Sequence, residues 1–134
     1  MTAAMADGPR AFAEQIDTIE EVYEFMLAYA AQGRRGEDEG TGSSIRESLR
    51  RVDAALGWIV DASAEKFTTG GEALGAFIDV LRQDAAKARA AVQLVLAQRS
   101  ISSQLIDNLN ASIHLRAVLT DLFLIDESLK GNAA

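Results

Sequence analysis

Acidic side chains that recur at helical spacing near the start of the chain are the first candidates for chemistry. They are Glu14, Asp17, Glu20, Glu21 and Glu24. Carboxylates from several helices can hold two metal ions, but such a site also takes Glu-x-x-His motifs. The chain has a single histidine, His114, and the residue three places before it is Ala111, so this motif is absent. On a helical wheel most of these acids lie opposite the apolar residues, and we interpret them as a solvated helix face.

His114 is a second candidate, because an imidazole can act as a general base. Asp107 and Asp121 are each seven residues from it, with Asn110 between. Seven residues make two helical turns, which is too far for direct contact within one helix. We interpret His114 as a surface or rim histidine; the alternative is a catalytic base paired with an acid from another helix. The sequence has no serine nucleophile with an identifiable base and no phosphate-binding glycine loop, so we predict no catalytic residue.

The composition excludes further classes of site. The chain has no cysteine and a formal net charge of −7, so it can form neither disulfides nor Cys-ligated metal centres. Carboxylates bind Mg²⁺ or Ca²⁺ only weakly without a preorganised cage, and we predict no metal and no cofactor. The basic cluster Arg46, Arg50 and Arg51 is interleaved with Glu47 and Asp53. That pattern argues against binding nucleic acid or anionic lipid.

The hydropathy pattern bears on where the protein resides. No apolar run approaches the ~18 residues that a membrane span requires. The N-terminal residues lack the basic and apolar regions of a secretory signal. The sequence therefore predicts no membrane association and a cytoplasmic location.

Asp84 departs from the apolar stripe on which it falls. It lies close to the line of Phe77, Leu81 and Ala88, where a carboxylate must be paired, protonated or at the edge of the core. Its possible roles are an acid at the rim, an ion pair with an arginine such as Arg116, and a functional acid.

Spacings of three and four between apolar residues predict four amphipathic helices, and no segment alternates with the period of a strand. We place the helices at about residues 9–32, 44–67, 70–98 and 102–129. Ser44 and Thr69 are the predicted caps of the second and third helices, and Ser100 or Ser102 begins the fourth. Residues 34–43 are rich in glycine and charge, and we predict a flexible loop there. The whole chain of 134 residues fits one domain, and we expect an up-down-up-down four-helix bundle.

The fourth predicted helix carries more apolar residues than one bundle can cover. If Leu115 and Leu122 face the core, Ile113 and Leu124 point well away from it. Trp58 also lies outside the apolar stripe of its helix, where its own neighbours can cover it or a partner can contact it. We predict a homodimer whose interface includes Ile113, Leu124 and Trp58. The alternatives are that the other helices wrap the fourth completely, or that its surplus binds a different protein.

These features predict a non-catalytic cytoplasmic protein that acts through protein–protein contacts, as a homodimer or as an accessory or assembly factor. The alternative is a bundle that holds a small ligand or a metal in its interior, as a sensor or an enzyme. A coat on apolar granules is a third possibility, which rests on the amphipathic helices alone. A cavity with convergent polar groups would favour ligand binding, and a large apolar outer patch would favour the interaction protein.

Overall fold

The computed structural model describes residues 8–36, 43–66 and 71–133, and nearly all of them are helical. The helices are α1 (Gly8–Ala30), α2 (Ser43–Lys66), α3 (Gly71–Leu96), α4 (Ser103–Ala111) and α5 (His114–Ala133). These described residues contain no strand, so the prediction of an all-α fold is confirmed. The described residues form five helices where four were expected, because the helix predicted over residues 102–129 is divided into α4 and α5.

The start of α4 follows the sequence prediction. Ser102 is extended, with φ −86° and ψ 163°, and its hydroxyl oxygen accepts a hydrogen bond from the Leu105 N–H at 3.0 Å. This bond pairs one of the donors that the first turn of a helix leaves free. The predicted cap Thr69 and residues 37–42 of the predicted loop lie outside the described residues, so the flexibility of that loop stays a prediction.

The core forms where the helices pack side by side. α2 packs against both α1 and α3, α5 packs mainly on α3, and α4 packs mainly on α1. The buried apolar side chains that follow the predicted stripes include Ile16, Ile19, Val22, Met26, Leu49, Val52, Leu56, Ile59, Leu81, Ala85, Val92, Leu115 and Leu122. Each large side chain among them contributes roughly 1.5–3 kcal/mol through burial. Helices cover α5 on its inner side, towards α1 and α3, and its outward side remains exposed.

The division between α4 and α5 occurs at Ser112 and Ile113, without a glycine or a proline. The Ser112 hydroxyl donates to the Leu109 carbonyl at 2.6 Å, and the Ser112 N–H donates to the Asn108 carbonyl at 3.0 Å. Ile113 then adopts a φ of 61°, and its carbonyl accepts from the Ala117 N–H at 2.8 Å as α5 begins. For a β-branched residue this left-handed conformation is a genuine outlier, which costs roughly 1–2 kcal/mol. The prediction of one continuous helix was therefore wrong. The sequence did not indicate the break, because neither a glycine nor a proline occurs there.

Ser103 ties the end of α1 to the start of α4. Its hydroxyl donates to the Tyr29 carbonyl at 2.6 Å and accepts from the Arg34 N–H at 2.8 Å. Its own N–H donates to the Arg34 carbonyl at 2.9 Å, and the Tyr29 hydroxyl donates to the Ile101 carbonyl at 2.6 Å. Ser103 is buried, so water does not compete for these bonds. They hold Arg34, the first residue of the predicted loop, against α4.

The Ser103→Ala variant should lower the free energy of unfolding by ~1–3 kcal/mol, because the Arg34 N–H loses its partner and the Tyr29 carbonyl keeps only the bond from the Gln32 N–H. Urea unfolding at a fixed chain concentration measures the change. Ser128→Ala is the matched control, since Ser128 is exposed and its hydroxyl donates only to the Leu124 carbonyl. The control should change the unfolding free energy by less than ~0.5 kcal/mol. Equal effects of the two variants would contradict the role assigned to Ser103.

Candidate interaction surface

The outward side of α5 carries a stripe that we call the outer face. It consists of Ile113, which directly precedes the helix, and of Ala117, Thr120 and Leu124. Ile113 lines one groove with Ala117 and Thr120, and a spacing of four places Leu124 on the same side as Thr120. Ile113 is 60% exposed, Leu124 is 54% exposed, and Phe123 at the edge of the face is 46% exposed. They are three of the six large apolar side chains that the described residues expose; the others are divided between α1 and α3. The structure thus places Ile113 and Leu124 away from the core, and their role in an interface stays a prediction.

Surface grooves border α5 on both sides. Groove A, of about 440 Å³, lies between the start of α3 and the second half of α5, and both Phe77 and Leu124 line it. Groove B, of about 260 Å³, lies between α1 and α5. The residues that line it include Glu20, Arg116, Thr120 and Phe123. Groove C, of about 310 Å³, lies beside the first half of α5 and is lined by Ile113, Arg116, Ala117, Thr120 and Asp121. A helical ridge between grooves is the shape that a second helix packs against.

Ile113 combines two unfavourable features. Its backbone has a positive φ, and its apolar side chain is mostly exposed to water. A glycine or an asparagine would adopt the same conformation at lower cost. Backbone strain of this kind often marks a functional position. Ile113 is therefore a candidate for an interface residue.

The structure gives Asp84 a partner that the sequence did not predict. Its carboxyl group forms a hydrogen bond with that of Asp121 across the contact between α3 and α5. Asp121 is only 9% exposed, and its Oδ2 atom has no hydrogen-bond partner. Burial first, and then the hydrogen bond and negative charge of Asp84, raise the pKa of Asp121 to about 7. Asp121 therefore keeps its proton up to about neutral pH. The described side chains show no ion pair between Asp84 and Arg116.

The acidic residues of α1 do not converge on a site. Glu14, Asp17, Glu21 and Glu24 are all exposed, as expected of a solvated face. Glu21 forms an ion pair with Arg51 of α2 at 3.3 Å. Within the described ranges, no group of three or more His, Asp or Glu side chains could hold a metal ion. The absence of a bound metal and of a cofactor stays a prediction.

His114 lies at the first residue of α5 and is half-buried. It forms no ion pair with any described carboxylate. Its position agrees with a histidine at the rim of the core.

Trp58 lies apart from the other two predicted interface residues. It is half-buried on α2, where its ring packs against that of Phe12 with a centroid distance of 6.2 Å and an interplanar angle of 53°. α2 packs on α1 and α3, whereas the outer face belongs to α5. The structure therefore brings Ile113 and Leu124 onto one stripe but does not bring Trp58 to them.

The basic cluster of the sequence is used partly inside the fold. The Arg46 guanidinium donates to three carbonyls that end α3 and follow it. They belong to Leu96 at 2.9 Å, Gln98 at 2.6 Å and Arg99 at 3.1 Å. A cation at this end of a helix is stabilised by the helix dipole. Arg46 therefore has a structural role in joining α2 to α3.

Comparison of the chain with protein-family models, with curated proteins and with solved structures finds no match. The function must therefore be inferred from the surface itself. None of the described helices combines the length and the hydropathy that crossing a bilayer requires.

Two residues of this region were missed by the sequence interpretation. Phe123 was not named as an interface candidate, although its spacing of three from Thr120 places it on the adjoining side of the helix. Asp121 was considered only as a neighbour of His114 in the sequence, although the apolar residues Val118 and Ile125 lie about one helical turn before and after it. A carboxyl group among apolar residues indicates that the group is buried and either paired or protonated.

Proposed function

We propose that the protein is a non-catalytic homodimer that acts through protein–protein contacts, with the outer face of α5 as its binding surface. The helices form an up-down-up-down bundle in which α4 and α5 together take the place of the fourth helix. The main support is the presence of Ile113, Phe123 and Leu124 on the side of α5 that no other described helix covers. Burying such a patch is favourable by roughly 25 cal/mol per Å² of apolar surface.

A second copy of the chain is the partner that this proposal favours. Closed two-fold pairing is the commonest form of assembly among soluble proteins. None of the four residues of the outer face is acidic, although the chain carries a net charge of −7, and the next exposed acid along this side of α5 is Glu127. Two such chains repel each other least where their acidic side chains are absent.

The alternative of a bundle that holds a ligand has less support. Grooves A, B and C open at the surface of the described part of the chain and do not lie inside the core. The hydrogen-bonded pair of Asp84 and Asp121 is the feature that comes nearest to a convergent polar site. Among the described residues, no further histidine or acidic side chain joins the pair to form a possible metal site.

Light scattering over a dilution series tests the proposal. The chain has a mass of 14.4 kDa, and we expect twice that mass at ~10 μM, with dissociation only at lower concentration. A mass of one chain throughout the series would reject the homodimer. The outer face would then be available to a different protein.

A further inference from the structure

The outer face of α5 is symmetric about its own centre. Its residues lie at equal distances on either side of a midpoint between Val118 and Leu119. In two antiparallel copies of a helix, a residue ahead of the midpoint lies at the level of the residue equally far behind it. Ile113 of one copy is then at the level of Leu124 of the other, and Ala117 is at the level of Thr120.

We propose that a second copy packs antiparallel on α5 about a two-fold axis at this midpoint, which rests on the proposed function. Leu124 of each copy then enters groove C of the other beside Ile113, and Ile113 in turn covers Leu124 at the edge of groove A. Ala117 and Thr120 are small, so the two helix axes can approach to ~8 Å. The exposed and strained position of Ile113 is explained because its side chain is buried by the second copy.

The charges beside the outer face support the same register. Arg116 is exposed on the flank of the face towards α1, and it forms no ion pair within the described part of the chain. A two-fold axis places this flank beside the same flank of the second copy. Arg116 of the second copy is then at the level of Asp121, between Thr120 and Phe123, which line groove B together with Glu20. Arg116 of each copy thus lies near Glu20 of the other, and these two pairs of opposite charge favour this register of two acidic chains.

Engineered cysteines test the register, because the natural chain contains none. In the Ile113→Cys/Leu124→Cys double variant, the two thiols of one chain are ~16 Å apart along the helix and cannot bridge. Between two antiparallel copies, the thiol at position 113 of each chain faces the thiol at position 124 of the other. Oxidation should therefore give a covalent dimer through two disulfides. Each single variant should cross-link ~10-fold more slowly, because its symmetric partner is also ~16 Å away.

The matched control is the Leu27→Cys/Leu94→Cys double variant, whose positions are exposed on α1 and α3. Cross-linking of the Ile113/Leu124 variant no faster than the control would overturn the register. Rapid cross-linking of either single variant would also overturn it, because that result indicates a parallel pair. The wild-type mass separates the two proposals: a dimer that fails this test contradicts only the register, whereas a monomer contradicts the proposed function as well.

A charge exchange provides a readout that does not depend on cysteines. Arg116→Glu should weaken dimerisation at least ~5-fold, because it sets like charges opposite each other in both halves of the interface. Adding Glu20→Arg should restore the affinity, because the exchanged pair is again complementary. Arg50→Glu, an equal change of charge on an exposed residue of α2, should have a smaller effect. Failure of Glu20→Arg to rescue the Arg116→Glu variant would overturn the proposed pairing.

Discussion

Replacing Asp121 with asparagine is expected to stabilise the folded chain at pH 8 by ~1–3 kcal/mol and to have little effect near pH 4. Asparagine matches the carboxyl group in shape, carries no charge, and can donate from its amide to the Asp84 carboxylate. The wild-type chain must instead ionise a group that is 9% exposed. The variant removes that cost.

The pH dependence follows from the raised pKa of Asp121. In the folded chain the carboxyl group keeps its proton up to about pH 7, whereas in the unfolded chain it loses the proton near its ordinary pKa of 3.8. The folded state therefore binds more protons between these pH values, so its stability falls as the pH rises through this window. Asparagine does not titrate, and the advantage of the variant should grow from pH 4 to pH 7 and then stay constant.

Urea unfolding of both proteins from pH 4.5 to pH 8.5 measures this difference. Asp107→Asn is the control, because Asp107 is exposed on α4 and the variant makes the same change of charge. An advantage of Asp121→Asn that is independent of pH, or one that the control shares, would contradict the raised pKa of Asp121 in the folded chain.

The core was predictable from the sequence because helical periodicity determines which residues lie on the same face of a helix. Ile19, Met26, Leu49 and Leu56 lie on the predicted stripes and are buried. The exposure of Ile113 and Leu124 follows from the same reasoning, because only one face of a helix can pack against the core of the bundle. The boundaries of α1, α2 and α3 agree with the predictions to within about two residues, which is the usual accuracy of such boundaries.

The remaining features depend on contacts between helices, which periodicity does not specify. The pairing of Asp84 with Asp121 requires the relative register of α3 and α5. The break at Ile113 requires a backbone conformation that the residue type disfavours. The bonds of Ser103 to Tyr29 and Arg34 likewise join segments that are distant in the sequence. Each of these features depends on how the helices are arranged in the fold, which the spacing of apolar residues along one helix does not specify.

Replacing Leu124 with glutamate is the substitution with the largest expected effect on assembly. Two glutamates per dimer would enter an apolar contact, and burial of an unpaired charge is strongly unfavourable. We expect the dissociation constant to rise ~100-fold or more, which corresponds to a loss of ~2.7 kcal/mol or more. Because Leu124 is 54% exposed in the single chain, the fold itself should retain its helical content and its unfolding transition.

Leu94→Glu makes the same chemical change at an exposed leucine of α3 that is 67% exposed and lies outside the outer face. The most direct test of the interaction surface is therefore the mass of the two variants by light scattering at ~10 μM, beside the wild-type protein. If α5 forms the interface, Leu124→Glu has the mass of one chain, 14.4 kDa, while Leu94→Glu and the wild type have twice that mass. A Leu124→Glu variant that stays dimeric, or a Leu94→Glu variant that dissociates equally, would show that the chains meet elsewhere.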